Sequence, residues 1–246
     1  MGSPWCHGCG RRETMTKVLS SQVSGDVLRL PLLSSKFYAL SATEVAQKVL
    51  GKILISCING KVTAGLIVET EAYLSAHDPA SHAAKGQTQR NRSMFASGGT
   101  AYVYLCYGMY HCFNIVTGPA GVGEAVLVRA LEPLVEIETM IERRYSQSEK
   151  KPDRTPLGRK NKSKYHLSNG PGKLTLALGI DLRHDGVSLV DPTAPLRLVD
   201  PALPPSLLPV GVSPRIGICQ GTSALLRFFV EGSPWVSRFP QKKQKP

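Results

Sequence analysis

Hydrophobic and polar positions in the middle of the chain alternate in the way that predicts strands and hairpins separated by short helices. The segments KILISCI and VTAGLIVETEAYL indicate two β-strands joined at Asn59-Gly60, a dipeptide typical of tight hairpin turns. The stretch before them predicts a short helix with Ser41 as N-cap, Glu44 in the capping-box position and Gly51 as its end.

Further along, TAYVYLCYGMYHCFNIVTG predicts an aromatic β-hairpin, EAVLVRALEP another strand and LVEIETMIERRY a helix. SNGPGKLTLALGI indicates a turn followed by a helix, and both PRIGICQ and LLRFFVEG look like strands. Hairpins that alternate with short helices favour a single α+β domain built around an antiparallel sheet.

The pattern divides the chain into three parts. Residues 1–33 show no sustained periodicity and are expected to form a flexible leader, residues 34–239 the domain, and residues 240–246 a basic tail. The segment 143–164 is rich in Lys and Arg and poor in apolar residues, which predicts a surface loop.

Charge adds a candidate partner. The sequence has 30 Lys and Arg against 18 Asp and Glu, a formal net charge of +12. A basic surface attracts polyanions because it neutralises phosphates and releases their counterions. Nucleic acid is the first partner this predicts; a protein kept soluble by its charge, or one that touches anionic membrane, fits the same composition.

The six cysteines are scattered, which indicates reduced thiols rather than a disulfide framework. Cys6 and Cys9 form a CxxC without a second pair, so half of the ligands of a zinc site would be missing. No apolar run approaches the roughly 18 residues of a membrane span, and the first residues lack the apolar centre of a signal peptide. We therefore expect an intracellular protein without a membrane partner.

Two carboxylates follow an apolar run in the second predicted strand. Glu69 and Glu71 point to the same face if the strand is regular through both. They could pair with arginines, or one could serve as a general acid or base whose protonation is set by burial and neighbours. A glycosidase dyad flanks the sugar bond, and two neighbours on one strand face would straddle it poorly.

The aromatic hairpin holds four of the eight tyrosines. Tyr102 and Tyr104 share one strand face, and Tyr107 precedes Gly108, where the chain is expected to turn, so that Tyr107 is exposed. Tyrosines in strands commonly pack in a core. In a basic protein they could instead stack on nucleobases, with one acting as a wedge between base steps.

The order of these motifs resembles the alkyladenine (3-methyladenine) DNA glycosylase family of the mammalian type. The resemblance spans about residues 40–237 through IVETEAYL, the SH dipeptide that ends at His82, RNRSMF, GTAYVYLCYGMYHCFNIV, AVLVRALEPL, GPGKL and LRFFVEGSPWVS. It implies a curved antiparallel sheet with surrounding helices and an aromatic hairpin that enters DNA.

The resemblance also implies roles for single residues. Glu71 would be the general base that activates water, and Arg129 would hold that water and the carboxylate. Tyr107 would fill the gap left by a flipped nucleotide. Glu69 would keep a structural role, as a salt-bridge or hydrogen-bond partner that positions the strand.

Base recognition is implied for the other matching positions. Tyr73 and Tyr104 would stack on the base in the pocket, and His82 would contact the edge of the base. Asn114 would also lie in the pocket and would reject guanine by crowding its amino group. Further DNA contacts are expected from Met109, Tyr110 and Lys173. His82 could instead be a surface residue, and Asn114 could satisfy backbone groups.

The function implied is a monomeric, monofunctional glycosylase of base excision repair, located with the genome. It would flip alkylated or deaminated purines such as 3-methyladenine and hypoxanthine out of double-stranded DNA and hydrolyse their glycosidic bond, with no metal and no cofactor. A non-catalytic binder of damaged DNA and a glycosidase acting on nucleosides are the alternatives. The loop between His82 and Arg90 is one residue shorter than in mammalian members, which leaves the damage spectrum open.

Overall fold

A computed structural model describes residues 26–145 and 164–237, which form eight strands and four α-helices. The strands are β1 (Ile53–Ile58), β2 (Lys61–Tyr73), β3 (Ala101–Cys106), β4 (Tyr110–Thr117), β5 (Glu124–Val135), β6 (Leu196–Val199), β7 (Val210–Ser213) and β8 (Arg227–Val230). The helices are α1 (Ser35–Tyr38), α2 (Ala42–Lys48), α3 (Ile137–Tyr145) and α4 (Pro171–Leu178). The CxxC at Cys6, residues 146–163 of the predicted basic loop and the predicted tail lie outside the described residues.

All eight strands belong to one curved, unclosed antiparallel sheet. Its main order is β3-β4-β5-β2-β1-β6. The 13-residue strand β2 is its axis: β5 pairs along one side, while β1 and then β8 pair along the other, and β7 pairs with β8. The predicted α+β single domain around an antiparallel sheet is confirmed.

Local sequence accounts for the entry into this sheet. Asn59 and Gly60 both have positive φ, 55° and 70°, the conformation that a two-residue hairpin turn requires between β1 and β2. Before β1, the Ser41 hydroxyl accepts from the Glu44 amide, and the Glu44 carboxylate accepts from the Ser41 amide. The predicted hairpin and capping box are both confirmed.

Strand β2 is buried almost throughout. From residue 63 to residue 72 every position is buried, including both glutamates. Since a strand alternates its faces, the core covers both sides of β2. Charged groups in such a strand must find partners inside the protein.

Four assignments from the sequence need correction. The segment 214–220, predicted as a strand, is an irregular loop, because its polar groups bind side chains of other segments rather than a neighbouring strand. Strand β6 lies within a proline-rich stretch, and β7 precedes that loop; neither was predicted. Residues 134 and 135, assigned to a helix, complete β5.

The packed chain begins ahead of residue 34. Val27 and Leu33 are buried, and the Leu33 amide donates to the Leu198 carbonyl at 2.9 Å. In the part of the chain that the structure describes, no helix combines the length and apolar character needed to cross a membrane.

The capping box should carry measurable stability. Ser41→Ala removes the acceptor for the Glu44 amide, and we expect the free energy of unfolding to fall by about 1 kcal/mol. Urea denaturation measures it. Lys48→Ala, in the last turn of the same helix, is the control and should change stability by less than about 0.5 kcal/mol; equal losses in both variants would contradict the prediction.

Candidate active site

A bulge in β5 places one arginine between the two glutamates of β2. Glu69 pairs with Ala130 and Thr70 with Val128, so Arg129 is the extra residue of β5. A bulge redirects the side chain of its extra residue. Here the Arg129 Nε lies 2.9 Å from Glu69 Oε1, and its Nη1 lies 3.1 Å from Glu71 Oε2. Both carboxylates therefore share one face of β2, as predicted.

Glu69 receives four donors. Its Oε1 accepts from Arg129, from Arg227 Nε at 2.7 Å and from the Ser237 hydroxyl at 2.6 Å, and its Oε2 accepts from the Ser237 amide at 2.6 Å. A carboxylate offers about four acceptor positions. Glu69 is thus held by partners from β5, from β8 and from the segment after β8, and the salt bridge expected for it is present.

Glu71 accepts two hydrogen bonds. Its Oε1 accepts from the Ile216 amide at 2.7 Å and its Oε2 accepts from the Tyr73 hydroxyl at 2.9 Å, while Arg129 Nη1 forms an ion pair with Oε2 at 3.1 Å. Burial, and then the charge of Glu71, raise the pKa of Tyr73, so its hydroxyl stays protonated and donates. Glu71 itself is fully buried, directly behind the tyrosine.

The glutamates belong to a set of six buried charges. Three carboxylates are paired with three guanidinium groups, and every one of these side chains is at most 8% exposed: Glu69, Glu71, Asp78, Arg129, Arg215 and Arg227. Pairing offsets the cost of burying each charge, and removing one partner from such a pair typically costs about 3–5 kcal/mol. The pKa of Arg129 is raised despite its burial, because both glutamates favour its charged form.

An aromatic cleft of about 490 Å³ opens beside Tyr73. The ring centroids of Tyr102 and Tyr104 are 5.3 Å apart, and that of His82 lies 4.6 Å from Tyr104. His82 Nδ1 is 2.8 Å from the Tyr102 hydroxyl. The structure thus brings the predicted pocket residues Tyr73, His82 and Tyr104 to one cavity.

Polar groups tune this cleft. Asn114 is buried and also lines the cleft. Its side-chain amide donates to the Tyr102 carbonyl at 3.0 Å, so Asn114 both satisfies a backbone group and faces the cavity. Desolvation of the ring, and then the Arg90 cation, lower the pKa of His82, which makes the imidazole neutral at pH 7.

The predicted hairpin tip projects from the rim of the cleft. Tyr107 is 82% exposed, and its φ of 51° is left-handed, a conformation that costs a residue with a bulky side chain roughly 1–2 kcal/mol. A strained, exposed aromatic at a turn stabilises no core, so its conformation is one that packing within the domain does not explain.

The remaining predicted residues lie around this tip. Met109 and Tyr110 are exposed, at 68% and 44%. Helix α4 approaches the hairpin so closely that a Cβ on Gly172 would lie 2.7 Å from Tyr110. Lys173 follows on this helix and binds the Asn169 side chain at 2.7 Å; it is not among the residues that line the cleft.

Other residues of the site were missed from the sequence. Tyr102 lines the cleft; its spacing from Tyr104 predicted a shared strand face, but it was not assigned to the pocket. Lys85 and Arg90 add positive charge to its lining, and the loop 217–220 closes one side. Asp78 and Arg215 carry no local signal, because 137 residues separate the two partners. Among the described residues, no three His, Cys, Asp or Glu side chains cluster closely enough to hold a metal ion.

Comparison with known proteins gives a consistent picture. The family described as "Methylpurine-DNA glycosylase (MPG)" matches residues 36–234. A protein of Methanoculleus marisnigri is 45% identical over 208 residues, which are 84% of this chain and 98% of that protein. One of Chlorobaculum tepidum is 42% identical over 218 residues, covering 87% and 96%. A Bacillus cereus protein is 44% identical over 207 residues, covering 82% and 97%. All three are provisionally named 3-methyladenine DNA glycosylase.

The two glutamates should differ in their effect on stability. Glu69→Gln leaves two guanidinium groups short of negative charge, and we expect the free energy of unfolding to fall by about 3–5 kcal/mol. Glu71→Gln affects only one guanidinium, and its loss should be clearly smaller. Chemical denaturation measures both. An equal or reversed order would show that Glu69 is not the main anchor.

Proposed function

The chain belongs to the methylpurine-DNA glycosylase family, and from this premise we propose that it hydrolyses the N-glycosidic bond of alkylated or deaminated purines in DNA. Glycosylases of this type act in DNA repair and are hydrolases of N-glycosyl bonds. The substrates proposed are 3-methyladenine, hypoxanthine and similar bases. The product is an abasic site.

One observation carries the proposal. The carboxylate of Glu71, which has acceptor capacity left, lies behind Tyr73 in the wall of an aromatic cleft, and the exposed Tyr107 lies at the rim of the same cleft. Glu71 accepts two hydrogen bonds where Glu69 accepts four, and one of its two donors, Tyr73, lines the cleft. Its remaining acceptor capacity suits a water molecule. Glu69 is the more fully bonded of the two and serves to hold Arg129.

In the mechanism we propose, Glu71 is the general base. The water that it holds with Arg129 attacks the anomeric carbon, the water proton passes to Glu71, and the bond to the purine breaks with its electrons on the base. Alkylation that makes the purine cationic improves it as a leaving group. Water is the only nucleophile, so no covalent enzyme-DNA intermediate forms, and the enzyme is monofunctional.

The cleft accepts a base only after that base has left the helix. Flipping a nucleotide costs a few kcal/mol, and less for a damaged or mispaired base. Tyr107 would enter the duplex as a wedge and occupy the gap, while Tyr73 and Tyr104 stack on the flipped base and His82 contacts its edge. Asn114 would crowd the amino group of guanine and so protect it.

The partner proposed is double-stranded DNA that carries damaged purines, bound by a monomer located with the genome. Lys85 and Arg90 at the cleft, together with the formal charge of +12, favour contact with phosphates. Met109, Tyr110 and Lys173 are placed on or beside the hairpin tip and would contact the same duplex.

Base release tests the function directly. The chain is incubated with a duplex that contains one hypoxanthine or 3-methyladenine analogue, and alkali then cleaves abasic sites. We expect cleavage with the wild type and a loss of at least about 100-fold with Glu71→Gln, the lower range for removing a general base. Binding of the same duplex should persist in this variant.

Three results would contradict these assignments. If the wild type gave no cleavage above background, the proposed glycosylase activity would be contradicted and a non-catalytic binder of damaged DNA would be favoured. Release of bases from free nucleosides but not from duplex would favour a nucleoside glycosidase. Trapping of a covalent adduct by borohydride would replace the water mechanism with amine catalysis, for which Lys85 in the cleft would be the first candidate.

The wedge should matter for binding and not for folding. Tyr107→Ser removes an exposed ring, so damaged duplex should bind at least about tenfold more weakly, within the 1–3 kcal/mol of base-aromatic stacking, while the free energy of unfolding changes by less than about 0.5 kcal/mol. Ile141→Ser, an exposed residue of α3, is the matched control and should leave binding unchanged. A large loss of stability in Tyr107→Ser would instead indicate a packing role.

A further inference from the structure

A buried cation lies over one face of the Tyr73 ring. The guanidinium carbon of Arg215 is 4.6 Å from the centroid of that ring, and its side chain is 0% exposed. Tyr73 lines the cleft, whereas Arg215 is not among the lining residues. The positive charge of Arg215 therefore lies outside the cleft, against a ring that borders the space where a base would stack.

Asp78 holds this cation in place with a two-pronged ion pair. Arg215 Nη1 lies 2.5 Å from Asp78 Oδ2, and Nη2 lies 2.7 Å from Oδ1. Nη1 also donates to the Ala72 carbonyl at 3.0 Å, and Asp78 accepts from the amides of Leu74 and Ala80. Three hydrogen bonds from its two terminal nitrogens therefore fix the guanidinium beside the ring.

The position of Arg215 opposes the attraction of Tyr73 for positively charged bases. An aromatic face attracts a cation through its π electrons. A cation that already lies over one face draws on the same electrons and repels a second positive charge across the ring. A neutral base on the cleft side meets no such repulsion. The hydrogen bond from the Tyr73 hydroxyl to Glu71 works in the other direction, because it enriches the ring in electrons.

We propose that Arg215, held by Asp78, is a specificity-determining residue that shifts the selectivity of the cleft from cationic, N-alkylated purines toward uncharged, deaminated purines. This inference rests on the proposed function. Arg215 does not touch the base; it acts through the ring of Tyr73. Without it, the same aromatic cleft would favour alkylated purines more strongly.

The test compares a cationic and a neutral base in otherwise identical duplexes. Single-turnover release of 3-methyladenine and of hypoxanthine is measured, with spontaneous release subtracted, and the ratio of the two rates is compared among variants. In Arg215→Met combined with Asp78→Asn, the cation is removed without leaving a buried carboxylate. We expect the ratio of 3-methyladenine to hypoxanthine to rise about fivefold, or about 1 kcal/mol at 1.4 kcal/mol per tenfold.

Two further variants separate this role from a structural one. Asp78→Asn alone leaves the guanidinium without its counter-ion, so its field at the ring grows and the ratio should fall about twofold or more. Arg215→Lys keeps a cation and should retain the wild-type ratio within about twofold. Arg215 also precedes Ile216, whose amide binds Glu71; a disturbance of that bond would lower both rates together and leave the ratio unchanged.

The outcomes are distinct. Opposite shifts of the ratio in Asp78→Asn and in the double variant support the inference. If melting curves show that the double variant does not fold, the ratio measured for Asp78→Asn is compared with that for Arg215→Lys instead. The inference is overturned if the ratio of the double variant stays within about twofold of wild type, if Asp78→Asn leaves the ratio unchanged, or if the two variants shift the ratio in the same direction. If the wild type releases neither base, it is the proposed function that fails.

Discussion

The guanidinium of Arg129 between two buried carboxylates is the constraint on which the rest of the site depends. β2 is covered on both faces, so water cannot hydrate the charges of its glutamates. The bulge in β5 supplies a counter-ion, because it places one arginine between them. Because Glu69 takes the Nε and Glu71 an Nη, one cation fixes two side chains and leaves them chemically unequal.

Residues nearer the C-terminus increase that inequality. Arg227 and Ser237 fill the remaining positions on Glu69, while Ile216 supplies only one amide to Glu71. The same segment brings Arg215 to Asp78, and these side-chain bonds explain why residues 214–220 do not continue the sheet. The C-terminal part of the described chain therefore both anchors Glu69 and shapes the cleft wall next to Glu71.

Local patterns were enough to predict much of this architecture, but they could not predict pairs of residues that lie far apart in the sequence. The capping box at Ser41, the Asn59-Gly60 turn and the exposed tip at Tyr107 depend on a few neighbouring residues, and each lies where it was predicted. The short strands β6 and β7 had no periodicity to reveal them. Arg215 and Asp78 could not be paired from the sequence, because nothing near either residue indicates a partner 137 positions away. The catalytic and binding roles came from a resemblance, which supplies what spacing alone left open.

The distance along the chain between Glu71 and Ile216 has a consequence for biosynthesis. The amide that completes the environment of Glu71 lies 145 residues beyond it. During translation, β2 leaves the ribosome long before this loop is made, so a nascent chain holds the carboxylate without its final partner. In the role proposed for Glu71, the ability to break glycosidic bonds would appear only once nearly the whole domain has been synthesised and folded.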